Sequence, residues 1–487
     1  MPNAVAYLAL LLWPAVCLLL FRRLPVERAI LWSILAGYLL LPPIAEFDLP
    51  LVPDMDKYTI PSLAAFLICV LAARRPVPLW PAHPAAKVLI VVFVAGVIPT
   101  VLTNGDPVLF RSLEHTEPIQ FITRTLPGLR WIDIGSVVTN QILVLLPFFL
   151  ARQYLSTDSG LRELLLALVL AALAYTLPSL VEIRLSPQIN TWVYGFFQHS
   201  FEQMIRNGGY RPIVFLPHGL WLAFFMMTAV LAAAALARAA SRTDRTRFAM
   251  ATVYLFAVLV LCKSLASLLY GLAFTPLVAL APYRLQLRAA LLLAVVAICY
   301  PALRNLGLIP TEAILAKAEL ISAERAQSLG YRFSNEHILL ERAAERPWFG
   351  WGGWGRGLVR DGQTGEILSM PDGRWIIVFG TYGWLGYIAE MGLLTAPLAL
   401  LAAQARKHSA GAVSPFAAPV ALILAATMLD MLLNATLIPF TWLCAGAVLG
   451  HAERLKYGNL STERRSLFGG KQALDTAASA TGDRGLM

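Results

Sequence analysis

The side chains best suited to chemistry in this sequence are cations and carboxylates set at the ends of long apolar runs. Arg211 stands in Asn207-Gly208-Gly209-Tyr210-Arg211-Pro212, shortly before His218 in Pro217-His218-Gly219. Lys263 interrupts two apolar runs in Cys262-Lys263-Ser264. Arg332 and Glu336 share Arg332-Phe333-Ser334-Asn335-Glu336, and Arg356 follows the aromatic-glycine run Trp348-Phe349-Gly350-Trp351-Gly352-Gly353-Trp354-Gly355. Asp372 and Arg374 occupy the Pro/Gly turn Met370-Pro371-Asp372-Gly373-Arg374-Trp375, immediately before another apolar run. A guanidinium presents a planar fork matched to phosphate oxygens. A carboxylate held beside a phosphate-binding cation can serve as a general base. Cations at the rim of an apolar bundle therefore point to an anionic substrate that is itself membrane-bound, and a lipid-linked phosphate meets both conditions.

Plainer readings stand beside these. Arg211 is equally an anchor snorkelling at a helix end, His218 a satisfied interior histidine, and Lys263 a turn lysine reaching for water. The tryptophans Trp348, Trp351, Trp354 and Trp375 suit sugar faces, and they suit an interfacial belt as well. Arg325, Glu341, Arg342, Glu345 and Arg346 read as a solvated helix face. Glu336 and His218 remain open as alternatives to Asp372 for the base. The sequence has no P-loop, HExxH or GxSxG, and its seven histidines are scattered. Asp56, Asp106 and Asp133 lack partners at metal-ligand spacing, so neither metal nor cofactor is expected.

The elements that must position these residues follow from composition. Of 487 residues, 58% are hydrophobic and 14% charged, which excludes an ordinary water-soluble enzyme and implies an all-helical, polytopic membrane protein. Apolar runs predict thirteen spans, near 4–21, 28–45, 58–73, 86–103, 134–151, 161–182, 213–237, 247–262, 264–281, 288–303, 376–402, 416–433 and 436–451. The first run follows an uncharged start and ends at Arg22-Arg23, so it reads as a retained span and not a cleaved signal. The five cysteines lie in or beside apolar segments without a pairing pattern and read as small core residues. The net charge of +10 is spread along the chain without a dense basic tract or a nucleic-acid-binding signature, so no nucleic-acid partner is expected.

The charge instead reports topology. Arg22-Arg23, Arg74-Arg75, Arg152, Arg238 to Arg247, Arg284 with Arg288, and Arg406-Lys407 fall at alternate span ends, which should be cytoplasmic. The N-terminus is then outside and the C-terminus inside, and the long connections near 104–133, 183–212 and 304–375 face outwards. The last carries nine Lys/Arg and nine Asp/Glu, a balance suited to a folded cap. Two short helices are expected in it, from Thr311 and around Asn335, before the glycines, whose small size lets backbone amides approach a ligand. The expected organisation is a membrane bundle over 1–303, a cap over 304–375, further spans over 376–451 and a disordered cytoplasmic tail over 452–487.

Three blocks carry a family resemblance: Gly208-Gly209-Tyr210-Arg211-Pro212 with Pro217-His218-Gly219, Lys263-Ser264 opening a span, and Arg332 through Gly357 with Pro347-Trp348-Phe349-Gly350-Trp351-Gly352. Gly383-Trp384-Leu385-Gly386 and Glu390-Met391-Gly392 follow in the same order. In this order the chain resembles the O-antigen ligase and polysaccharide polymerase superfamily, well over about 205–400 and elsewhere by topology. The resemblance implies a GT-C-like, metal-independent glycosyltransferase of the bacterial inner (cytoplasmic) membrane. Such an enzyme takes a glycan from an undecaprenyl-pyrophosphate-linked oligosaccharide and joins it to a hydroxyl of an acceptor glycan on the periplasmic side. By position in the blocks, Arg211 and Arg332 would hold the pyrophosphate, with Lys263, Arg356, Arg374, Trp351 and Trp375 as secondary contacts. The ligases typically have His at the base position, where this chain has Asp372, which favours polymerisation or transfer to another acceptor over ligation to lipid A. Membrane lipids and other polysaccharide export proteins complete the expected partners. A transporter or flippase of lipid-linked glycans is the rival reading. It predicts internal repeats and mid-membrane charges, whereas the halves show no repeat and mid-span ionisable residues are few, chiefly Glu390 and Asp430. A non-catalytic scaffold in a polysaccharide export complex, with those two as buried structural partners, is the third reading.

Overall fold

The computed structural model describes residues 1–48, 52–114, 120–206, 208–409 and 411–458. The predicted tail beyond 458 and Asn207 of the Gly-Gly-Tyr-Arg block lie outside them. Every apolar run contains a helix, although 41–45, 213–218, 431–433 and 436–438 of the predicted spans are not helical: α1 (Ala4–Arg23), α2 (Val26–Leu40), α3 (Thr59–Leu67, continued by a π turn to Ala72), α4 (Pro84–Ala95) with α5 (Val97–Leu102), α6 (Asp133–Tyr154) and α7 (Asp158–Leu185). After the short α8 (Ile189–Tyr194) come α9 (Gly219–Ala239), α10 (Arg242–Leu261), α11 (Leu265–Leu280) and α12 (Tyr283–Asn305). The cap helices α13 (Thr311–Ile321) and α14 (Ala323–Ala344) follow, then α15 (Arg374–Lys407), α16 (Ala417–Asp430) and α17 (Pro439–Tyr457). Among the described residues, seven helices are long and apolar enough to cross a membrane, α4 and α5 counting together as one, and α3 with its π turn, α11 and α16 are shorter apolar helices.

Alanine and leucine, strong helix formers, dominate the interior. Helix α9 has lost nearly all its surface from Leu222 to Leu236, which places it at the centre, packed against α7, α10 and α11. The bundle has two unlike faces. On one, short basic connections are tied together: Arg152 donates to Glu453 at 2.8 Å and to the Pro78 carbonyl at 2.9 Å, and Tyr154 donates to Pro76 at 2.8 Å. On the opposite face, hereafter the cap face, the long connections meet. There Asn104 donates to Gly350 at 2.9 Å, and Arg206 pairs with Glu324.

Two features depart from the expected plain helical bundle. The connection at 104–133 contains an antiparallel hairpin, β1 (Val108–Glu114) with β2 (Gln120–Leu126), in which Phe110 faces Arg124 and Ser112 faces Ile122. Its Phe121-Ile122-Thr123 stretch has strand-forming residues, and Leu113 N–H donates to Thr364 across the cap at 3.0 Å. A second, two-residue pair joins β3 (Ile205–Arg206) to β4 (Gly209–Tyr210). The other departure is in α15, which is interrupted at Gly383 (φ 64°, ψ −163°). The aromatic-glycine turn packs onto this break: Trp351 N–H donates to Gly380 at 2.8 Å, Gly352 N–H to Thr381 at 2.9 Å, and Trp384 N–H to Pro347 at 2.8 Å. A Cβ on Gly350 would lie 2.4 Å from the Thr381 backbone, and one on Gly383 2.4 Å from that of Trp348. The glycines thus let two backbones approach one another, satisfying groups that a broken helix leaves exposed. These amides serve α15, where the sequence suggested a ligand. Helix α17 also runs past 451, so the last helical element extends into the segment assigned to the tail.

Candidate functional site

The 211–218 loop, between β4 and α9, is held in a conformation its sequence would not choose alone. Val214 has φ 52°, a left-handed backbone that a β-branched residue adopts only when its surroundings compel it. Glu182, fully buried at the end of α7, accepts backbone N–H groups from Ile213 (2.7 Å), Val214 (2.8 Å) and Ile189 (3.1 Å). The Tyr175 hydroxyl accepts from Phe215 N–H at 3.1 Å, and Gln198 donates to the Val214 and Leu216 carbonyls at 2.8 and 3.1 Å. Lys57 donates to the Phe215 carbonyl at 2.7 Å, and burial brings its ammonium down to about 7 against the opposing charge of Asp56.

This clamp fixes two candidate residues. Arg211 is 6% exposed, yet its Nε has no hydrogen-bond partner, and its Nη2 donates to the Lys263 carbonyl at 3.1 Å. Burial, and then the charges of Arg206 and Arg332, bring its pKa down to about 10. His218 caps α9 by accepting from Leu220 N–H at 2.9 Å. Burial, His199 and the nearby Arg211, Arg332 and Arg206 depress its pKa to about 3, leaving a neutral imidazole. Lys263, at φ 53° between α10 and α11, reaches the Arg206 carbonyl at 2.8 Å. A Cβ on Gly209 would lie 2.4 Å from Lys263 Nζ, so glycine there keeps the ammonium in place.

Arg332 enters from α14, whose Phe333, Glu336, Leu339 and Ala343 form its buried stripe. Asn335 on the same helix accepts from Met370 N–H at 2.6 Å, drawing the chain before α15 against it. Asp372 then lies with Oδ2 3.8 Å from Arg332 Nε, and the two side chains are 34% and 22% exposed. Burial raises the Asp372 pKa, with Arg332 pulling it back. The cap face therefore gathers Arg211 and His218 from one loop with Lys263, Arg332 and Asp372, drawn from four separate stretches of chain. Arg206, which sequence reading passed over, joins them; its signal was a second arginine five residues before Arg211. Positive charge outweighs the carboxylates of Asp372 and Glu324, and a guanidinium nitrogen is left without an acceptor, so the site suits an anion.

The remaining candidates are engaged elsewhere. Glu336 accepts from Tyr300 at 3.1 Å and Trp375 at 3.3 Å beside Arg304, burial raises its pKa, and Trp375 itself is fully buried. Arg356 donates to the carbonyls of Trp351, Pro127 and Asp106 and thereby ties three loops together. Arg374 forms a two-point ion pair with Glu390 at 2.8 and 2.6 Å. The Trp351 indole donates to the Arg342 carbonyl at 2.8 Å, with the Arg342 and Arg346 guanidiniums 3.5 and 4.5 Å from its ring centre. Trp348 and Trp354 instead expose about two thirds of their surface, 67% and 63%. Among the described residues, no group of three His, Cys, Asp or Glu side chains could hold a metal ion. Neither a family model nor any curated protein matches the chain.

Proposed function

We propose that the protein is a membrane glycosyltransferase, a polysaccharide polymerase that moves a glycan from a polyprenyl-pyrophosphate carrier to a sugar hydroxyl. In this reading all thirteen apolar helices cross a bacterial inner membrane in a GT-C-like arrangement, with the cap face periplasmic and the C-terminus cytoplasmic. The observation that carries the reading is the convergence of Arg211, Arg332 and Lys263 on one face of an apolar bundle, with Asp372 3.8 Å from Arg332. The donor pyrophosphate takes the unfilled donor of Arg211 and the fork of Arg332. The acceptor oxygen attacks the anomeric carbon. The bond from that carbon to the phosphate oxygen breaks, and its electron pair leaves with the pyrophosphate, whose growing charge the two guanidiniums meet. The hydroxyl proton passes to Asp372 and then to water. Arg374, Arg356 and Glu336 position the framework through the contacts described above. A carboxylate where the ligases that the chain resembles carry histidine supports polymerisation, with a ligase using another acceptor as the sibling reading.

The test is purified protein in nanodiscs with an undecaprenyl-pyrophosphate oligosaccharide and EDTA, following glycan length and released lipid pyrophosphate. Longer glycan with lipid release is expected, falling at least about a hundredfold, or roughly 2.7 kcal/mol of transition-state stabilisation, in Arg211→Ala and Arg332→Ala. Undiminished chain length in both variants would refute the assignment.

A further inference from the structure

A second recess on the cap face has a chemistry opposite to that of the cation cluster. Two cavities of about 370 Å³ each adjoin between α3, α6, α15 and the aromatic-glycine turn, sharing Asn140 and Tyr382 as a common wall. Together they are within the size of ligand clefts. One cavity is lined by Trp354, Asp48, Asp54 and Ser136, and its neighbour by Arg374 and the apolar start of α17. Trp354 is 63% exposed and held at φ 55°, a conformation costly for so bulky a residue. The side chains of Asn140, Ser136 and Tyr382 make no hydrogen bond among the described residues. The cleft's cation, Arg374, is neutralised by Glu390. Carboxylates cluster beside the cleft: after burial, Asp54, Asp56 and Asp48 push the Glu46 carboxyl upward.

An aromatic face, amide and hydroxyl groups with open valences and a negative rim fit the C–H faces and hydroxyls of a sugar, and they repel phosphate. We propose that this cleft binds the uncharged glycan end of the acceptor, a reading that rests on the transferase function above. The placement explains the position of Asp372. Two residues of chain span at most about 7 Å, so Asp372, facing Arg332, lies within that reach of Arg374, which lines the cleft. The start of α15 is the wall between an anionic donor on one side and a neutral acceptor on the other.

The test uses the donor's own oligosaccharide, released from its lipid by mild acid, and saturation-transfer NMR on the full-length protein in nanodiscs, with inorganic pyrophosphate as the contrasting probe. Sugar protons should receive saturation from the wild type. Trp354→Ala and Asn140→Ala, neither of which removes a fully buried or hydrogen-bonded side chain, should weaken oligosaccharide binding by about tenfold each, a loss of one modest contact. Pyrophosphate binding should be unchanged in both, and Arg211→Ala should show the reverse pattern. In turnover, the cleft variants should raise the acceptor KM and leave kcat near wild type. Oligosaccharide binding that is absent, or indifferent to both cleft substitutions, overturns the proposal even if lipid pyrophosphate is released. Cleft-dependent binding without any release from the lipid-linked donor overturns the transferase reading alone.

Discussion

At the scale of single residues, Asp372 makes the sharpest statement, because two influences on it oppose. Burial favours its neutral acid, and Arg332 at 3.8 Å favours the carboxylate, with burial the larger. A base must be ionised to work, so kcat/KM for transfer should fall as pH drops through a value above the roughly 4 of a free carboxylate. Arg332→Gln removes the opposing charge and should move that acid limb of the residual activity to higher pH, while Asp372→Asn should lower turnover and abolish the limb. A pH–rate profile checks both, and a limb indifferent to Arg332 would remove Asp372 from the role. His218, held near 3, is neutral from pH 5 to 8 and should contribute no step near 6.5. The residues that converge were legible because each is a charge or imidazole at the edge of an apolar run, where an ion is costly unless it has work to do. Arg356 and Arg374 carry the same signature with a different meaning. Their partners lie at Pro127, Asp106 and Glu390, and a pairing across such stretches of chain leaves no mark in local spacing.

At the scale of elements, the informative piece is the loop before α9, whose shape is imposed from outside. Glu182 accepts three backbone N–H groups there. Glu182→Gln turns one acceptor into a donor that faces other donors, at a cost of about 1–3 kcal/mol. The expected outcome is a protein that keeps its helical circular dichroism but binds inorganic pyrophosphate at least several-fold more weakly, since Arg211 loses its fixed backbone. Calorimetry on the variant checks this, and unaltered pyrophosphate affinity would show that the clamp serves folding only. Helices were readable from hydrophobic run length, and each of the thirteen predicted runs contains a helix, with the ends of several displaced by a few residues. The β1–β2 hairpin was not, because its strands are short and half-polar and gain their order from Thr364 and Arg360 in the cap. The aromatic-glycine turn misled for a related reason. Glycine reports that a backbone must come close, and the chain alone does not say whether the visitor is a ligand or the break in α15.

At the scale of the whole molecule, the bundle separates two kinds of surface, and that separation can be tested without any substrate. One end gathers Arg152, Arg238 and Arg454 among short connections, several bound to carbonyl or hydroxyl groups there. The other gathers the long connections, the cation cluster and the acidic cleft. Membrane proteins tend to keep the end rich in Lys and Arg in the cytoplasm, so in the bacterial inner membrane proposed above the cap face should be periplasmic, where a lipid-linked glycan would meet it. With Cys299, the exposed native cysteine, changed to serine, Leu320→Cys on the 88% exposed edge of α13 should react with a membrane-impermeant maleimide in intact spheroplasts. Thr243→Cys, exposed at the start of α10 on the basic end, should react only after permeabilisation. The reverse pattern would put Arg211, Arg332 and Asp372 in the cytoplasm. The site would then face donors activated by nucleotides, and the argument for a pyrophosphate carrier flipped to the outer leaflet would fail together with the orientation.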